Sequence, residues 1–271
     1  MELSQELQSK LNKLKASLRD KRIIVAFSGG VDSSLLAYLS NLHSKETLLL
    51  TASSLIFSET ELQDAAQFAR NHDIPHKIIE IEPLKKKKFR NNPKDRCYIC
   101  KHFIFSKFLQ IKNELQYDLI VEGSNISDLN DYRPGYKAIK ELGIATPYID
   151  ANIDKEDIIE LSEFFDLAVK NKPPNACFAT RISYGICIDE ELLNKIKIAE
   201  RFLKIEFDLR QVRVRYHEDN LVRIEFLEED LFKIFNRTNI EHIKNKFKEL
   251  GFSYITIDIE GYRRSGLIHL S

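Results

Sequence analysis

The apolar run Ile23-Ile24-Val25-Ala26-Phe27 leads straight into Ser28-Gly29-Gly30-Val31-Asp32-Ser33-Ser34, and this junction constrains the fold more than any other stretch. Such a run reads as a buried strand, and Leu35, Leu36 and Leu39 begin a helix on its far side. The two glycines let the backbone approach an anion, the serines offer hydroxyl donors, and the N-terminus of the helix faces whatever the turn holds. That order makes a cradle for pyrophosphate; the alternative is an ordinary tight turn. The loop lacks the Gly-Lys-Ser/Thr ending whose lysine serves the β- and γ-phosphates, which disfavours kinase and GTPase chemistry.

The alternation continues along the first half. Met1 to Lys21 is a charged helical leader with Leu3, Leu7, Leu11 and Leu14 on one face, unlike a secretory signal. Strand-like runs at 22–27, 47–52, 76–81 and 118–122 alternate with helical patterns at 33–43 and 59–72, which predicts a doubly wound, parallel α/β sheet. Ligands of such sheets sit at the carboxyl ends of the strands. Three strand ends carry suitable polar residues: Ser28 to Ser34, Ala52-Ser53-Ser54, and Glu122-Gly123-Ser124-Asn125 followed by Asp128. They are expected to share one crevice. A helix predicted from Asp150 to Lys172 ends at Pro173-Pro174 and closes a first domain, residues 1–172. Residues 173–271 read as a smaller α+β domain, with helices at 188–204 and 237–250 and strands at 212–216, 221–226 and 254–259.

Lysine and arginine total 41, as do aspartate and glutamate, so no global charge argues for a nucleic-acid partner. The run Lys85 to Lys88 reads as a solvated segment. No apolar stretch approaches the ~20 residues needed to cross a bilayer, so no membrane partner is expected and the expected location is the cytoplasm. In that reducing compartment the four cysteines are expected to be reactive or metal-binding rather than disulfide-bonded.

Cys97 and Cys100 have the two-residue gap that lets two thiolates reach one metal or form a redox pair. Other readings stay open: a zinc site completed by Cys177 and Cys187, two unrelated buried thiols, or a [4Fe-4S] cluster on Cys97, Cys100 and Cys177 with its fourth iron open to an extra sulfide. Cys177 follows the double proline on an expected surface loop near Arg181, a better setting for a nucleophile than a core. Cys187 is expected to pack as a small hydrophobe. Arg213 and Arg215 alternate along one strand and so share a face, where forked guanidinium groups could grip phosphate oxygens of a mononucleotide; the alternative is an ordinary exposed face. Arg133, on the turn Asp131-Tyr132-Arg133-Pro134-Gly135, could hold a substrate carboxylate or a local salt bridge. By residue type alone Glu200 and Asp258 read as solvated carboxylates.

SGGVDSS at 28–34 resembles the PP-loop of the ATP pyrophosphatases, which release pyrophosphate after adenylyl transfer. Together with RCYICK, EGSNISD, DYRPG, CFATRISYG, VRVRYH and IDIEGYR, in this order from residue 28 to 263, it is similar to the LarE family of ATP-dependent sulfurtransferases, which help build the nickel-pincer cofactor of lactate racemase. The resemblance implies ATP bound by Ser28, Gly29, Gly30, Asp32, Ser33, Ser34, Ser53, Gly123 and Asn125, with Mg2+ on its phosphates helped by Asp32. It implies a small-molecule mononucleotide substrate, pyridinium-3,5-biscarboxylic acid mononucleotide, held by Arg133, Arg181, Arg213 and Arg215. Cys177, Asp32, Glu200 and Asp258 are the implied catalytic residues. Relatives with one active-site cysteine surrender its sulfur and leave dehydroalanine, whereas those with cysteines matching Cys97, Cys100 and Cys177 bind a [4Fe-4S] cluster; the three cysteines here make the cluster the preferred expectation and sacrifice of Cys177 the second. A homo-oligomer and a sulfide or other sulfur donor are implied partners. A PP-loop tRNA thiolase, another ATP pyrophosphatase acting on a small carboxylate, or a nucleotide-binding regulator without turnover are the competing readings. Ser183 departs from the pattern, standing where relatives commonly have proline.

Overall fold

The computed structural model describes residues 3–130, 134–168 and 176–263. In chain order its elements are α1 (Gln5–Leu18), β1 (Arg22–Ala26), α2 (Val31–His43), β2 (Glu46–Ser53), α3 (Glu59–Asn71), β3 (His76–Glu80), α4 (Lys87–Arg90), α5 (Arg96–Glu114), β4 (Leu119–Val121), α6 (Pro134–Glu141), α7 (Pro147–Asp150) and α8 (Lys155–Phe164). There follow α9 (Glu190–Glu206), β5 (Val212–His217), β6 (Leu221–Phe226), α10 (Leu231–Ile234), α11 (Arg237–Glu249) and β7 (Tyr254–Ile257). The chain divides into two compact units, residues 1–83 with 95–175, and residues 84–94 with 176–271. The boundary expected between 172 and 173 lies outside the described residues, and the lysine-rich segment at 84–94 belongs to the second unit.

The first unit carries a four-stranded sheet in the order β3-β2-β1-β4, parallel throughout. Side chains alternate across β1: Ile23 and Val25 join Leu7, Leu11 and Leu14 of α1, Leu35, Leu36 and Leu39 of α2, and Ile158 and Leu161 of α8 in one core. Ile24 faces the other way, with Leu48 and Leu50 of β2, Phe105 and Phe108 of α5 and Ile139 of α6. Helices on both faces explain why the two central strands read as nearly continuous apolar runs. The doubly wound α/β class is therefore the observed one.

Two features of this unit differ from the expectation. The helix predicted over 150–172 is met, among the described residues, by the last residue of α7 and then by α8, because Asn152 takes a left-handed conformation (φ 57°) and Asp154 then starts a new helix through a reciprocal capping box with Asp157; residues 169–172 lie outside the described residues. The 19-residue α5, which carries Cys97 and Cys100, has no clear apolar stripe in sequence, since Ile99, Phe103, Ile104, Phe105, Phe108 and Ile111 spread around it.

The second unit is a three-stranded sheet, β5-β6-β7, with β5 antiparallel and β7 parallel to β6. Leu193, Ile196, Ala199 and Leu203 of α9, Val212 and Val214 of β5, Val222 and Ile224 of β6, and Phe247 of α11 are buried. The strand predicted over 254–259 stops at Ile257, leaving Asp258 just beyond it and Ile259 exposed. Lys85 to Lys88 are exposed as expected, although the last two open the short α4. Among the described residues no helix is long and apolar enough to cross a membrane.

Candidate active site

The turn after β1 has the conformation its glycines allow. Gly29 sits at φ +72°, and a Cβ there would meet Ala65 of α3 at 3.2 Å. Gly30 precedes α2 with no side-chain cap, so the start of the helix keeps its donors for a ligand. The serines organise the turn: the Ser28 N–H donates to Ser33 Oγ (3.3 Å), the Gly30 N–H to Ser28 Oγ (3.4 Å), and Ser33 Oγ to the Gly30 carbonyl (3.1 Å). Ser34 Oγ is fully buried with no partner among the described residues. Beneath the turn, Thr51 Oγ1 donates to the Phe27 carbonyl at 2.7 Å, which leaves it to accept from His76 Nε2 at 2.8 Å. Burial, then the charge of Arg70, pushes the His76 pKa down and favours a neutral ring. Sequence patterning did not reveal this support.

Parallel pairing puts the ends of β1, β2 and β4 on one sheet edge, as expected, and a hydrogen bond joins two of them: Asn125 Nδ2 donates to Asp32 Oδ1 at 3.3 Å. Asn125 is buried, its Oδ1 accepting from the Ser127 N–H and its own N–H donating to Asp128 Oδ2. Ser53 ends β2, half-buried, with its carbonyl taken by the Ile81 N–H. The buried Glu122 accepts from the Ser124 N–H at 3.1 Å and lies 3.9 Å from Lys101 Nζ. Lys155, from the first position of α8, contacts both Asp32 carboxylate oxygens at 2.8 Å. Lysine 123 positions away carried no sequence signal. The turn fits a polyphosphate, with an uncapped helix start and a buried free hydroxyl, and one carboxylate fits Mg2+, which is held by one or two carboxylates plus phosphate oxygens and water.

Gly123 is glycine for a different reason. A Cβ there would lie 3.2 Å from the Asp32 carbonyl carbon, Asp32 Cβ and the Ser33 nitrogen. Gly123→Ala is expected to push Asp32 off its position, lowering stability by about 1–3 kcal/mol as overpacking does. Thermal melting with and without ATP checks it: the variant should melt lower and lose most of any ATP-induced shift.

In the second unit Cys177 is half-buried and opens a short 3-10 turn, Phe178–Arg181. Arg181, 4% exposed, folds back over that turn: its NH1 donates to the carbonyls of Ala176 (2.6 Å) and Cys177 (3.4 Å), while Nε and NH2 grip both oxygens of Glu200 at 2.8 and 3.1 Å. Glu200 also accepts from the Val214 N–H at 2.9 Å. Burial works against the Arg181 charge, but Glu200 and the charge of a Cys177 thiolate outweigh it and raise its pKa. Glu200 is thus a buried clamp from α9, not the solvated carboxylate its residue type suggested.

Arg213 and Arg215 do share a face of β5, and it is buried, not an exposed basic face. Arg215 donates from Nε and NH2 to Glu225 (both 3.0 Å) and from NH1 to the Thr180 carbonyl (2.8 Å), tying β5 to the Cys177 turn. Arg213 stacks on the Tyr262 ring, 4.5 Å from its centroid, and donates to its hydroxyl at 2.7 Å. Burial, then the nearby charge of Arg181, pushes the Arg213 pKa down to about 10. Desolvated positive charge of this kind favours an incoming oxyanion. Asp258 is also enclosed, accepting from Arg223 and, at 3.2 Å, from Arg263. Gly261, at φ +70° and with no room for a Cβ against the Phe226 carbonyl (2.9 Å), turns the chain so that Tyr262 reaches Arg213. The motif IDIEGYR held that signal unread. Arg133 lies outside the described residues.

None of the four cysteines is in a disulfide, and Cys187 is exposed rather than packed, with Arg90 NH2 at 4.0 Å from its sulfur. Cys97 and Cys100 are half-buried one turn apart on α5. Among the described residues no three His, Cys, Asp or Glu side chains gather to hold a metal ion. The expected [4Fe-4S] cluster on Cys97, Cys100 and Cys177 is therefore not supported, nor is the four-cysteine zinc alternative.

A family model described as NAD synthase matches residues 2–104, the leader and the first βαβ units. An uncharacterized protein of Methanocaldococcus jannaschii is 36% identical over 252 residues, covering 93% of this chain and 95% of its own. An uncharacterized Synechocystis protein is 33% identical over 263 residues, 96% and 97% of the two chains. The pyridinium-3,5-bisthiocarboxylic acid mononucleotide synthase of Lactiplantibacillus plantarum is 30% identical over 262 residues, 95% of this chain and 93% of that one. Likeness of this extent takes in the glycine turn and the Cys177 turn alike, and the chain belongs to the LarE family of PP-loop proteins.

Proposed function

We propose that the chain activates a carboxylate of pyridinium-3,5-biscarboxylic acid mononucleotide with ATP and replaces an oxygen with sulfur carried by Cys177. The near full-length similarity to a synthase named for the bisthiocarboxylic product supports this substrate class. ATP supplies the adenylyl group, and Mg2+ held with the help of Asp32 would offset phosphate charge. The Ser28–Ser34 turn orients the polyphosphate through its backbone donors and hydroxyls. A substrate carboxylate oxygen bonds to the α-phosphorus as the bond to pyrophosphate breaks. AMP is then the leaving group when the Cys177 thiolate bonds to the acyl carbon. Loss of the Cys177 Cα proton and cleavage of Cβ–Sγ leave the sulfur on the substrate and dehydroalanine at 177.

Arg181 has the central positioning role. It neutralises a Cys177 thiolate and holds the turn by two carbonyls, while Glu200 holds Arg181. Arg213, desolvated and stacked on Tyr262, is the residue we assign to the substrate phosphate. The observation that carries this reading is a half-buried thiol set in an arginine-rich, largely enclosed network, in a chain of this family.

Incubation with ATP and the dicarboxylate mononucleotide should yield AMP, pyrophosphate and thiolated product in equal amounts, with the protein losing the mass of hydrogen sulfide. ADP in place of AMP would sink the adenylylation step. An iron-containing, brown protein after anaerobic purification that keeps its full mass through turnover would sink the role of Cys177 as sulfur source.

A further inference from the structure

Asp32 belongs to the proposed phosphate turn, yet its carboxylate is already occupied. Lys155 Nζ stands 2.8 Å from each oxygen, and both side chains are about one-third exposed, at 28% and 31%. Little slack exists on either side of this pair. Asp32 is held through its backbone carbonyl by the Tyr148 hydroxyl at 2.9 Å and through Oδ1 by Asn125. Lys155 opens α8, whose start is fixed by the Asp154–Asp157 capping box, by Lys10 Nζ on Asp157 at 2.8 Å and by the Lys155 N–H on Ser127 Oγ at 3.2 Å. A cation at the first position of a helix stands against the helix dipole, which favours anions there. The ammonium therefore depends on Asp32 when no other anion is near.

We propose that Lys155 is the internal counter-cation of Asp32, and that it moves onto phosphate oxygens when a divalent cation takes Asp32 together with a nucleotide. The proposal rests on reading the Ser28–Ser34 turn as an ATP site. A metal ion alone must displace the ammonium and leave it facing a helix start with no anion. A nucleotide supplies that anion. Metal and nucleotide consequently bind as a coupled pair, each tightening the other by the same factor.

Titration calorimetry of the full chain measures this, with Mn2+ alone, α,β-methylene ATP alone, and each in the presence of the other. In the wild type each ligand should tighten the other by about tenfold. In Lys155→Met, Mn2+ alone should bind about threefold tighter, as expected for freeing a partly exposed carboxylate, and the nucleotide alone about tenfold weaker, as expected for losing one charge-assisted contact. The coupling should collapse. Lys155→Arg, which keeps the cation, should retain most of it, and thermal melting shows whether each variant is folded. Coupling unchanged in a folded Lys155→Met, or lost equally in Lys155→Arg, overturns the inference while the ATP site stands. Absence of nucleotide binding by the wild type overturns the ATP reading itself.

Discussion

Glu225→Ala is expected to lower the melting temperature of the second unit by roughly 10–25 °C, the consequence of a loss of about 3–5 kcal/mol. Glu225 is fully buried and accepts from both arms of Arg215, with Arg223 NH2 3.1 Å from the same carboxylate. In the register of β5 and β6 Glu225 lies opposite Arg213, and Arg215 lies opposite Arg223, so cross-strand neighbours would set like charges face to face without it. Removing the carboxylate leaves the Arg215 guanidinium in a space water cannot reach, with the Thr180 carbonyl as its remaining acceptor among the described residues, while Arg223 keeps Asp258. Differential scanning calorimetry checks this. A Glu225→Leu, Arg215→Met double variant should recover much of the loss, because an apolar pair of similar volume avoids the desolvation penalty, with Arg223 still held by Asp258. Full stability in Glu225→Ala alone would mean that the arginines find other anions.

Cys177→Ser is expected to stop formation of thiolated product, by about a thousandfold or more, while the adenylylation half-reaction continues. The two chemistries are assigned to different units, the glycine turn to residues 1–83 with 95–175 and the thiol to residues 84–94 with 176–271. Serine preserves shape and the half-buried setting at the head of the Phe178–Arg181 turn, where the backbone carbonyl of residue 177 accepts from Thr180 Oγ1 and Arg181 NH1. Pyrophosphate exchange into ATP, dependent on the dicarboxylate substrate, reports the first half; mass spectrometry of the product reports the second. Loss of both together would place Cys177 in substrate binding rather than sulfur transfer, and retention of both would remove it from the chemistry.

The strand, glycine turn and helix at 22–43 were legible because every signal is local: an apolar run, two glycines and the helical spacing of leucines. The same holds for the β5–β6 hairpin, where the run lengths mark both strands. The helix over 150–172 was misjudged because Asn152 interrupts a continuous helical pattern with one left-handed residue, and the capping box that restarts it looks like ordinary acidic sequence. The iron–sulfur expectation came from a count of cysteines carried over from relatives. Spacing places Cys97 and Cys100 one turn apart on a helix but says nothing of whether a third thiol converges on them.

The charged residues divide most sharply. Alternation along β5 was enough to put Arg213 and Arg215 on one face, because side-chain direction in a strand follows from the backbone alone. Whether that face meets water or protein depends on what α9, β6 and the Gly261–Tyr262 turn lay over it, and those contacts span up to 49 positions. Glu200 and Asp258 were solvated by residue type and became enclosed clamps for the same reason. Sequence by itself determined the α/β order, the anion-suited turn and the thiol that follows the double proline. Tertiary structure decided which charges lose their water and with whom they pair, Lys155 with Asp32 and Arg181 with Glu200, because desolvation belongs to the folded surroundings and has no period along the chain.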